Sequence, residues 1–441
     1  MKIKVLALIM SLLLLCSCFV ACNNGNDTED TGTEAPATEA PGSDTSGEGE
    51  GNTPGEGEGN TPGEGEGNTP GEGEGNTPTQ TPEEKYADLY AQGYVYYVLK
   101  THAIVSDLNA KYILDQDNFK EWYSVQSIAQ GYCGQYILAT DVVVNEGNAA
   151  DWATTKPATV FSPEANGWGF NGIFDGNGKT ISGVCITPGS ISGDEVRISL
   201  FGDLNGGQIK NLRLVNSYLE SKATTDTNPV GSFAGRVQAT GGKIVNCYSD
   251  AIIKCNTAFA GGIAGGHINT TNEPLNVIEN CVFAGKIEGN GCIGGIVGST
   301  NNGDMYIKNC INLGTLVAAA GQAEVGGIVG DLKGGWTKAH IENCVNLSKN
   351  VPHALVGGAT PRGIYANAFV MITDIGVADA IATDSNLYEP AGVTIVEKTL
   401  AEFLDAENKV FADWTYEEGY IPNPTTHTKI PTSVVSAVPA N

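Results

Sequence analysis

A two-part phrase that returns at nearly even intervals is the feature that most constrains this chain. One part is Ile-x-Asn-Cys and the other is Gly-Gly-Ile-x-Gly, and the two alternate. Successive asparagines of the first part are separated by 34, 29 and 34 residues, which predicts a solenoid built from one stacked unit. The first part lies at residues 244–247, 278–281, 307–310 and 341–344, and the second at 261–265, 294–298 and 326–330.

The residue types in the phrases fit one coil of a parallel β-helix. Equivalent residues would stack about 4.8 Å apart, so the isoleucines would form an inward ladder. Stacked asparagines can pass hydrogen bonds from amide to amide and tolerate left-handed backbone geometry, which suits a bend. Glycine pairs are expected on the opposite wall, where a side chain would be excluded. The predicted structural ladder comprises Asn211, Asn246, Asn280, Asn309 and Asn343.

The cysteines of the repeats have two interpretations. The cysteines that follow the ladder asparagines have no second cysteine within four residues, so they lack the paired spacing of a metal site. Stacked neighbours would also lie farther apart than the roughly 3.8 Å that a disulfide prefers between Cβ atoms. We therefore predict a ladder of buried thiols and no metal. Cys255 and Cys292 lie off this ladder, and a disulfide between them stays open.

Composition agrees with a β-rich body and argues against nucleic acid as a partner. The chain has 58 glycines, and only 17% of its residues are charged. Its formal net charge is -26, but residues 23–84 supply 16 acidic residues and no basic one. The four arginines of the chain do not provide the basic stripe that phosphate neutralisation requires.

The first 22 residues have the pattern of a bacterial lipoprotein signal peptide. Two lysines precede an apolar run, and Phe19-Val20-Ala21-Cys22 resembles a lipobox whose cysteine is lipid-modified. The chain becomes polar directly after Cys22, which is therefore the predicted lipidation site. Leu15-Cys16-Ser17-Cys18 is a competing site, and an ordinary secretory peptide is the alternative. We expect an extracytoplasmic protein that is lipid-anchored to the bacterial cell membrane or cell surface.

The rest of the chain divides by composition. Residues 23–82 form an acidic Gly/Glu/Pro linker with four copies of Gly-Glu-Gly-Glu-Gly-Asn-Thr-Pro, which we predict to be disordered. Residues 83–159 are predicted to be an N-terminal cap, with strands over 94–105 and 135–144 and a helix that starts at Asn118. The β-helix is predicted for 160–372. Residues 373–441 are predicted to be a C-terminal cap and tail, in which Thr399 and Glu402 form a capping box.

One segment resembles nucleotide and calcium motifs without meeting their requirements. Gly178-Lys179-Thr180 looks like the end of a P-loop, but Ile173 stands where that signature needs glycine. Lys179 likewise stands where an EF-hand loop needs an oxygen ligand. We predict a tight glycine turn between two strands instead.

Four phrases together carry a family resemblance. Phe-x-Gly-x-Phe-Asp-Gly-Asn-Gly-Lys-Thr-Ile-x-Gly at 170–183, Leu-Phe-Gly at 200–202 and the two repeat phrases resemble the GLUG-motif repeats of bacterial surface proteins. These repeats also occur near the β-helical region of IgA-cleaving zinc metallopeptidases. The resemblance implies a right-handed β-helix on the cell surface. It does not imply the peptidase, because no His-Glu-x-x-His pair is formed by His102, His267, His340, His353 or His427.

The predicted fold class is therefore all-β: a right-handed parallel β-helix with small N- and C-terminal α/β caps, preceded by a disordered linker. Two functions are compatible with it. The first is a non-enzymatic, monomeric surface module without cofactor that binds an extracellular protein or glycan, for which Trp168 and Trp336 could supply stacking faces. The second is a polysaccharide lyase or glycoside hydrolase. That chemistry needs clustered carboxylates, and the acidic residues Asp304 and Asp331 are not expected to cluster.

Overall fold

The computed structural model consists mainly of parallel strands stacked coil upon coil, which confirms the β-solenoid. Every ladder between its named strands is parallel, and each strand pairs with its counterpart one period away along the chain. The described residues all belong to one compact unit, Asn76–Asn441. They are 80–99, 107–126, 133–161, 169–187, 197–222, 229–238, 241–256, 259–268, 275–301, 304–318, 324–333, 338–349, 351–359, 364–367, 369–377, 379–381, 394–424 and 429–436.

Two long sheets, A and B, meet at the asparagine bend. Within the described ranges, sheet A has ten strands: β1 Val95–Tyr96, β2 Lys111–Leu114, β3 Gln135–Leu138, β5 Ile173–Asp175, β9 Gln208–Lys210, β14 Lys243–Val245, β19 Asn276–Glu279, β24 Asp304–Lys308, β29 Lys338–Glu342 and β32 Ile364–Asn367. Among the same residues, sheet B has nine: β4 Val142–Val143, β6 Thr180–Ser182, β10 Arg213–Val215, β15 Tyr248–Ser249, β20 Val282–Phe283, β25 Ile311–Asn312, β30 Val345–Asn346, β33 Phe369–Ile372 and β35 Ile395–Lys398.

Two further sheets complete each coil in the part of the chain that the structure describes. There, sheet C has five strands: β7 Cys185–Ile186, β11 Tyr218–Ser221, β16 Ile252–Cys255, β21 Lys286–Gly289 and β26 Thr315–Ala318. Sheet D contains the glycine phrases, each of which joins a two-residue strand to a longer one. Its eleven strands are β8 Asp203–Leu204, β12 Val230–Gly231, β13 Ala234–Gln238, β17 Ala260–Gly261, β18 Ala264–Ile268, β22 Ile293–Gly294, β23 Val297–Asn301, β27 Val325–Gly326, β28 Val329–Lys333, β31 His353–Ala359 and β34 Asp379–Ile381.

Short helices lie near both ends of the described chain. The predicted capping box at Thr399 and Glu402 is formed and opens the C-terminal helix Leu400–Leu404. No helix within the described ranges is long and apolar enough to cross a membrane. The helices are α1 Pro82–Lys85, α2 Ala87–Ala91, α3 Phe119–Gln126, a 3-10 turn at Ala149–Asp151, α4 Leu400–Leu404 and α5 Ser433–Ser436.

The inward column of sheet A is longer than the repeat phrases predict. Its isoleucines continue toward the N-terminus as aromatic residues, in the register Tyr112, Tyr136, Phe174, Ile209, Ile244, Ile278, Ile307 and Ile341. Helix α3 closes this end, because the ring of Trp122 lies 5.0 Å from that of Tyr136 and 5.5 Å from that of Phe174. Residues 83–159 thus contribute strands β1–β4 to the parallel sheets as well as a covering helix.

The five ladder asparagines occupy left-handed backbone. Their φ angles lie between 50° and 55°. The Nδ2 group of Asn246 donates to Oδ1 of Asn211 at 3.1 Å, and that of Asn309 donates to Oδ1 of Asn280 at 3.0 Å. Asn343 donates in turn to Asn309 at 3.2 Å. One residue type therefore satisfies both the backbone geometry of the bend and the stacking of coils.

The glycine pairs are required because the core is narrow where they lie, and a side chain there would overlap with neighbouring atoms. A Cβ at Gly295 would lie 2.2 Å from Cγ of Asn312 on the opposite wall, and one at Gly327 would lie 2.4 Å from Cγ of Asn346. Backbone limits both glycines of a pair, since a Cβ at Gly261 would meet the carbonyl oxygen of Ala264 and a Cβ at Gly295 would meet that of Gly327. The second glycine is required for a further reason, because it also faces a side chain of the opposite wall.

The ladder cysteines are buried thiols, as predicted. Cys247, Cys281, Cys310 and Cys344 form no disulfide, and each lies close to backbone carbonyl oxygens. Burial raises the pKa of Cys247 and of Cys310 well above the usual thiol value, which keeps them protonated. Cys255 and Cys292 are not joined by a disulfide either.

The asparagine bend can be tested by comparing Asn280→Ala with Asn280→Gly. Both variants remove the acceptor of Asn309, but only alanine also incurs the cost of left-handed backbone, about 1 kcal/mol. We expect both to lower the free energy of unfolding in urea, and the alanine variant to be about 1 kcal/mol less stable than the glycine variant. Equal stabilities would contradict the backbone argument.

A second test concerns a buried hydroxyl. Thr300 in β23 is completely buried, and its Oγ1 has no hydrogen-bond partner within the described chain. Thr300→Val should raise the free energy of unfolding by about 1 kcal/mol, because it removes an unsatisfied polar group at nearly constant shape. Ser249→Ala is the matched control. Its hydroxyl lies 2.6 Å from that of Ser232, so its loss should destabilise the protein by a similar amount.

Candidate functional site

Each glycine phrase forms an arch that brings two columns of side chains together, and the segments 198–203 and 230–236 form the first two arches of the same series. The leading column consists of the residues just before the first strand of each arch: Arg197, Pro229, Phe259, Cys292 and Glu324. The trailing column lies in register on the second strands: Asp203, Arg236, Gly266, Ser299, Asp331 and Gly358. Contact between them is direct, since a Cβ at Gly266 would lie 3.3 Å from Cβ of Pro229.

At the N-terminal end of the arches, a buried carboxylate is neutralised by arginine. Asp203 is 3% exposed and forms ion pairs with Arg197, at 3.3 Å, and with Arg236. Gln238 adds a hydrogen bond at 2.7 Å. A buried charge held in this way has lost its hydration, but it is compensated on several sides.

At the C-terminal end, the same columns bring together a thiol and two carboxylates. Sγ of Cys292 lies 3.1 Å from Oε2 of Glu324 and 3.8 Å from Oδ2 of Asp331. The three possible ligand atoms all lie within 4.8 Å of one another. Cys292 and Asp331 are buried, whereas Glu324 is exposed. Thiolate and carboxylate are ligands that a divalent metal ion accepts, so this group is the candidate site.

Two neighbouring residues shape the candidate site. Ser299 is the Cα partner of Asp331, so both side chains project to the same face of sheet D. Ser299 is 1% exposed, and its Oγ has no hydrogen-bond partner in the part of the chain that the structure describes. Gly358 follows in the same column. A Cβ there would lie 2.7 Å from Cδ of Glu324 and 2.9 Å from Oδ1 of Asp331.

The sequence does not reveal this group in advance. Its three residues are 32 and 7 positions apart, so no short motif contains them. The expectation that Asp331 does not cluster is wrong, because the arch brings it to Cys292 and Glu324. The sequence contains one indication of this group. Cys292 and Glu324 are one period apart, and each lies just before a glycine phrase, so they occupy equivalent positions in successive repeats.

The remaining predicted functional residues are placed as follows. Cys22, the linker to residue 79, Trp168 and Trp336 lie outside the described residues. His340 lies on the outward face of sheet A, where its ring stacks on that of Tyr306 at 4.4 Å. His353 begins β31, and burial lowers its pKa below the usual histidine value while Asp379 opposes that change. The expected glycine turn is present, with positive φ at Asn177 and Gly178 between β5 and β6.

Comparison with known proteins adds one structural similarity. No protein-family model matches the chain, and no curated protein matches it. A crystal structure from Bacteroides ovatus, of a protein provisionally named an immunoglobulin A1 protease, is similar with 18% sequence identity and a TM-score of 0.47. The alignment covers 75% of this chain and 94% of that chain. At this identity and TM-score, the similarity carries no argument about activity.

The electrostatic account of the arches can be tested at Asp203. Asp203→Asn should lower the free energy of unfolding by about 3 kcal/mol, because two largely buried guanidinium groups lose their counter-charge. Glu342→Gln is the control. Its ion pair with Lys308 is exposed, so the change should stay below about 1 kcal/mol in the same urea titration. Similar losses in both variants would contradict the account.

Proposed function

We propose that this chain is a non-enzymatic cell-surface lipoprotein whose β-helix binds an extracellular protein or glycan. The lipobox-like segment ending at Cys22 and the acidic linker support display away from a membrane. The phrases of residues 170–347 support membership of the GLUG-motif surface proteins. The proposal concerns the repeat body and its outward faces.

The observation that carries the proposal is the long, regular outward face of sheet A. Its ten strands, stacked about 4.8 Å apart, extend over about 43 Å. Outward residues lie in register along this face, in the column Asp175, Lys210, Val245, Glu279, Lys308 and Glu342. A surface with a fixed repeat suits an extended ligand, because successive units of the ligand can contact successive coils.

The charges on this face favour binding over hydrolysis. Asp175 pairs with Lys210 at 3.2 Å, and Glu342 pairs with Lys308 at 3.3 Å. Glycoside hydrolysis instead uses two carboxylates that face each other across the scissile bond. Carboxylates that are paired with neighbouring lysines do not form such a catalytic pair. They provide polar contacts on a surface, like those at the solvent-accessible rim of a protein interface.

An aromatic pair gives this face a candidate contact point. The rings of Tyr306 and His340 lie 4.4 Å apart with an interplanar angle of 7°. Nζ of Lys308 lies 5.3 Å from the centroid of the Tyr306 ring. Both rings are partly exposed, so the outward face presents two aromatic rings next to the ammonium group of Lys308. Aromatic residues are enriched among those that dominate binding energy.

A paired assay on the full chain tests the proposal. The protein is applied to a glycan array and to bacterial and host-cell surfaces, and the same preparation is incubated with a panel of polysaccharides. We expect retention on at least one surface without release of reducing sugars or unsaturated products. Release of either product would show that the chain is an enzyme and contradict the proposal.

Two double variants locate the binding face once a bound surface is known. Tyr306→Ser with His340→Ser alters sheet A, and we expect at least about a 10-fold loss of affinity. Lys254→Ser with Glu288→Ser is the control, because it removes a 3.2 Å ion pair from sheet C and leaves sheet A unchanged. If only the sheet C variant loses binding, the ligand binds another face and the assignment to sheet A is wrong.

A further inference from the structure

The distances within the Cys292, Glu324 and Asp331 group match those around a tetrahedral zinc ion. Zinc–sulfur and zinc–oxygen bonds of about 2.3 and 2.1 Å at a tetrahedral angle place sulfur and oxygen about 3.6 Å apart. The two sulfur–oxygen distances in the structure, 3.1 and 3.8 Å, lie on either side of that value. The ligands also come from different coils, since Cys292 precedes β22, Glu324 precedes β27 and Asp331 lies in β28.

The sign of the charge changes along the leading column. Arg197 stands beside the buried Asp203 in the first arch, whereas Glu324 occupies the corresponding position four periods later, close to Asp331. The arginine that balances the first carboxylate is thus replaced by a second carboxylate. A divalent cation between the two would supply positive charge where the column itself carries a negative side chain.

Ser299 and Gly358 give independent support for a ligand at this point. The buried hydroxyl of Ser299 projects to the same face as Asp331 and lacks a hydrogen-bond partner among the described residues. Leaving such a group unsatisfied is costly, and a water bound to a metal ion would satisfy it. Gly358 keeps open the volume in which a Cβ would meet both carboxylate groups.

We propose that Cys292, Glu324 and Asp331 bind one zinc ion, with water as the fourth ligand and the Ser299 hydroxyl hydrogen-bonded to that water. The Cys292 thiol loses its proton to solvent when the metal binds, so binding releases protons. The open position and the exposed Glu324 let the ion enter from solvent. Because the ligands lie in successive coils, zinc would fasten those coils to one another. This site is independent of the proposed function on sheet A.

Zinc binding is measured on the full chain by equilibrium dialysis with atomic spectrometry, and by the ultraviolet charge-transfer band of a thiolate-bound cobalt ion. We expect wild-type protein to bind one equivalent of Zn²⁺ more than Cys292→Ser does, and to show the cobalt band. Glu324→Gln, which changes an exposed side chain, should weaken binding at least about 10-fold, and Ser299→Ala should weaken it about 10-fold. Zinc should raise the melting temperature of wild type and not that of Cys292→Ser.

Cys255→Ser is the matched control. Cys255 is also buried and off the cysteine ladder, and burial raises its pKa to about 11, so its loss should leave zinc binding unchanged. Circular dichroism of each variant separates loss of the site from loss of the fold, and the exposed Glu324→Gln keeps the test valid if the buried Cys292→Ser does not fold. The proposal is overturned if Cys292→Ser and Glu324→Gln bind zinc like wild type, or if wild type binds Ca²⁺ but no equivalent of Zn²⁺.

Discussion

Parallel strand pairing between successive coils is the interaction on which the rest of this structure depends. It places every residue directly above its equivalent about 4.8 Å away, so each position along the coil becomes a column of similar environments. Residues that benefit from stacking therefore recur. Asn280 and Asn309 share an amide hydrogen bond in the same left-handed conformation, and Ile278 and Ile307 share the core. A repeat in sequence is the direct consequence of this geometry.

The narrowness of the coil sets a second constraint, which acts across the core between sheets D and B. Where sheet B carries Asn312 or Phe283, the facing position between the two strands of the arch is glycine, at Gly295 or Gly262. Where sheet B carries the small Ser249, the arch has Ser232 and the two hydroxyl groups lie 2.6 Å apart. The volumes of facing residues are thus complementary coil by coil, as close packing of protein interiors requires.

The arches show what stacking does to charge. A column that places like residues together would also place like charges together, and this chain avoids that at Asp203 by setting Arg197 and Arg236 beside it. At Asp331 the neighbouring residues of the leading column are Cys292 and Glu324. The two ends of one column therefore differ in chemistry although their backbone is the same. The residues that recur in every coil are explained by the stability of the fold. We therefore expect functional sites in a repeat protein at positions where one coil differs from its neighbours.

The sequence by itself determined the solenoid, the isoleucine column, the left-handed asparagine bends and the thiol state of the ladder cysteines. Each is repeated, and each follows from a local preference of one residue type, such as the tolerance of Asn246 for positive φ. Only the tertiary structure decided that the inward column continues through Phe174 to Tyr112, and that Cys292, Glu324 and Asp331 meet. These depend on contacts between coils and across the arch, and residues separated by a whole period leave no signature in a short stretch of sequence.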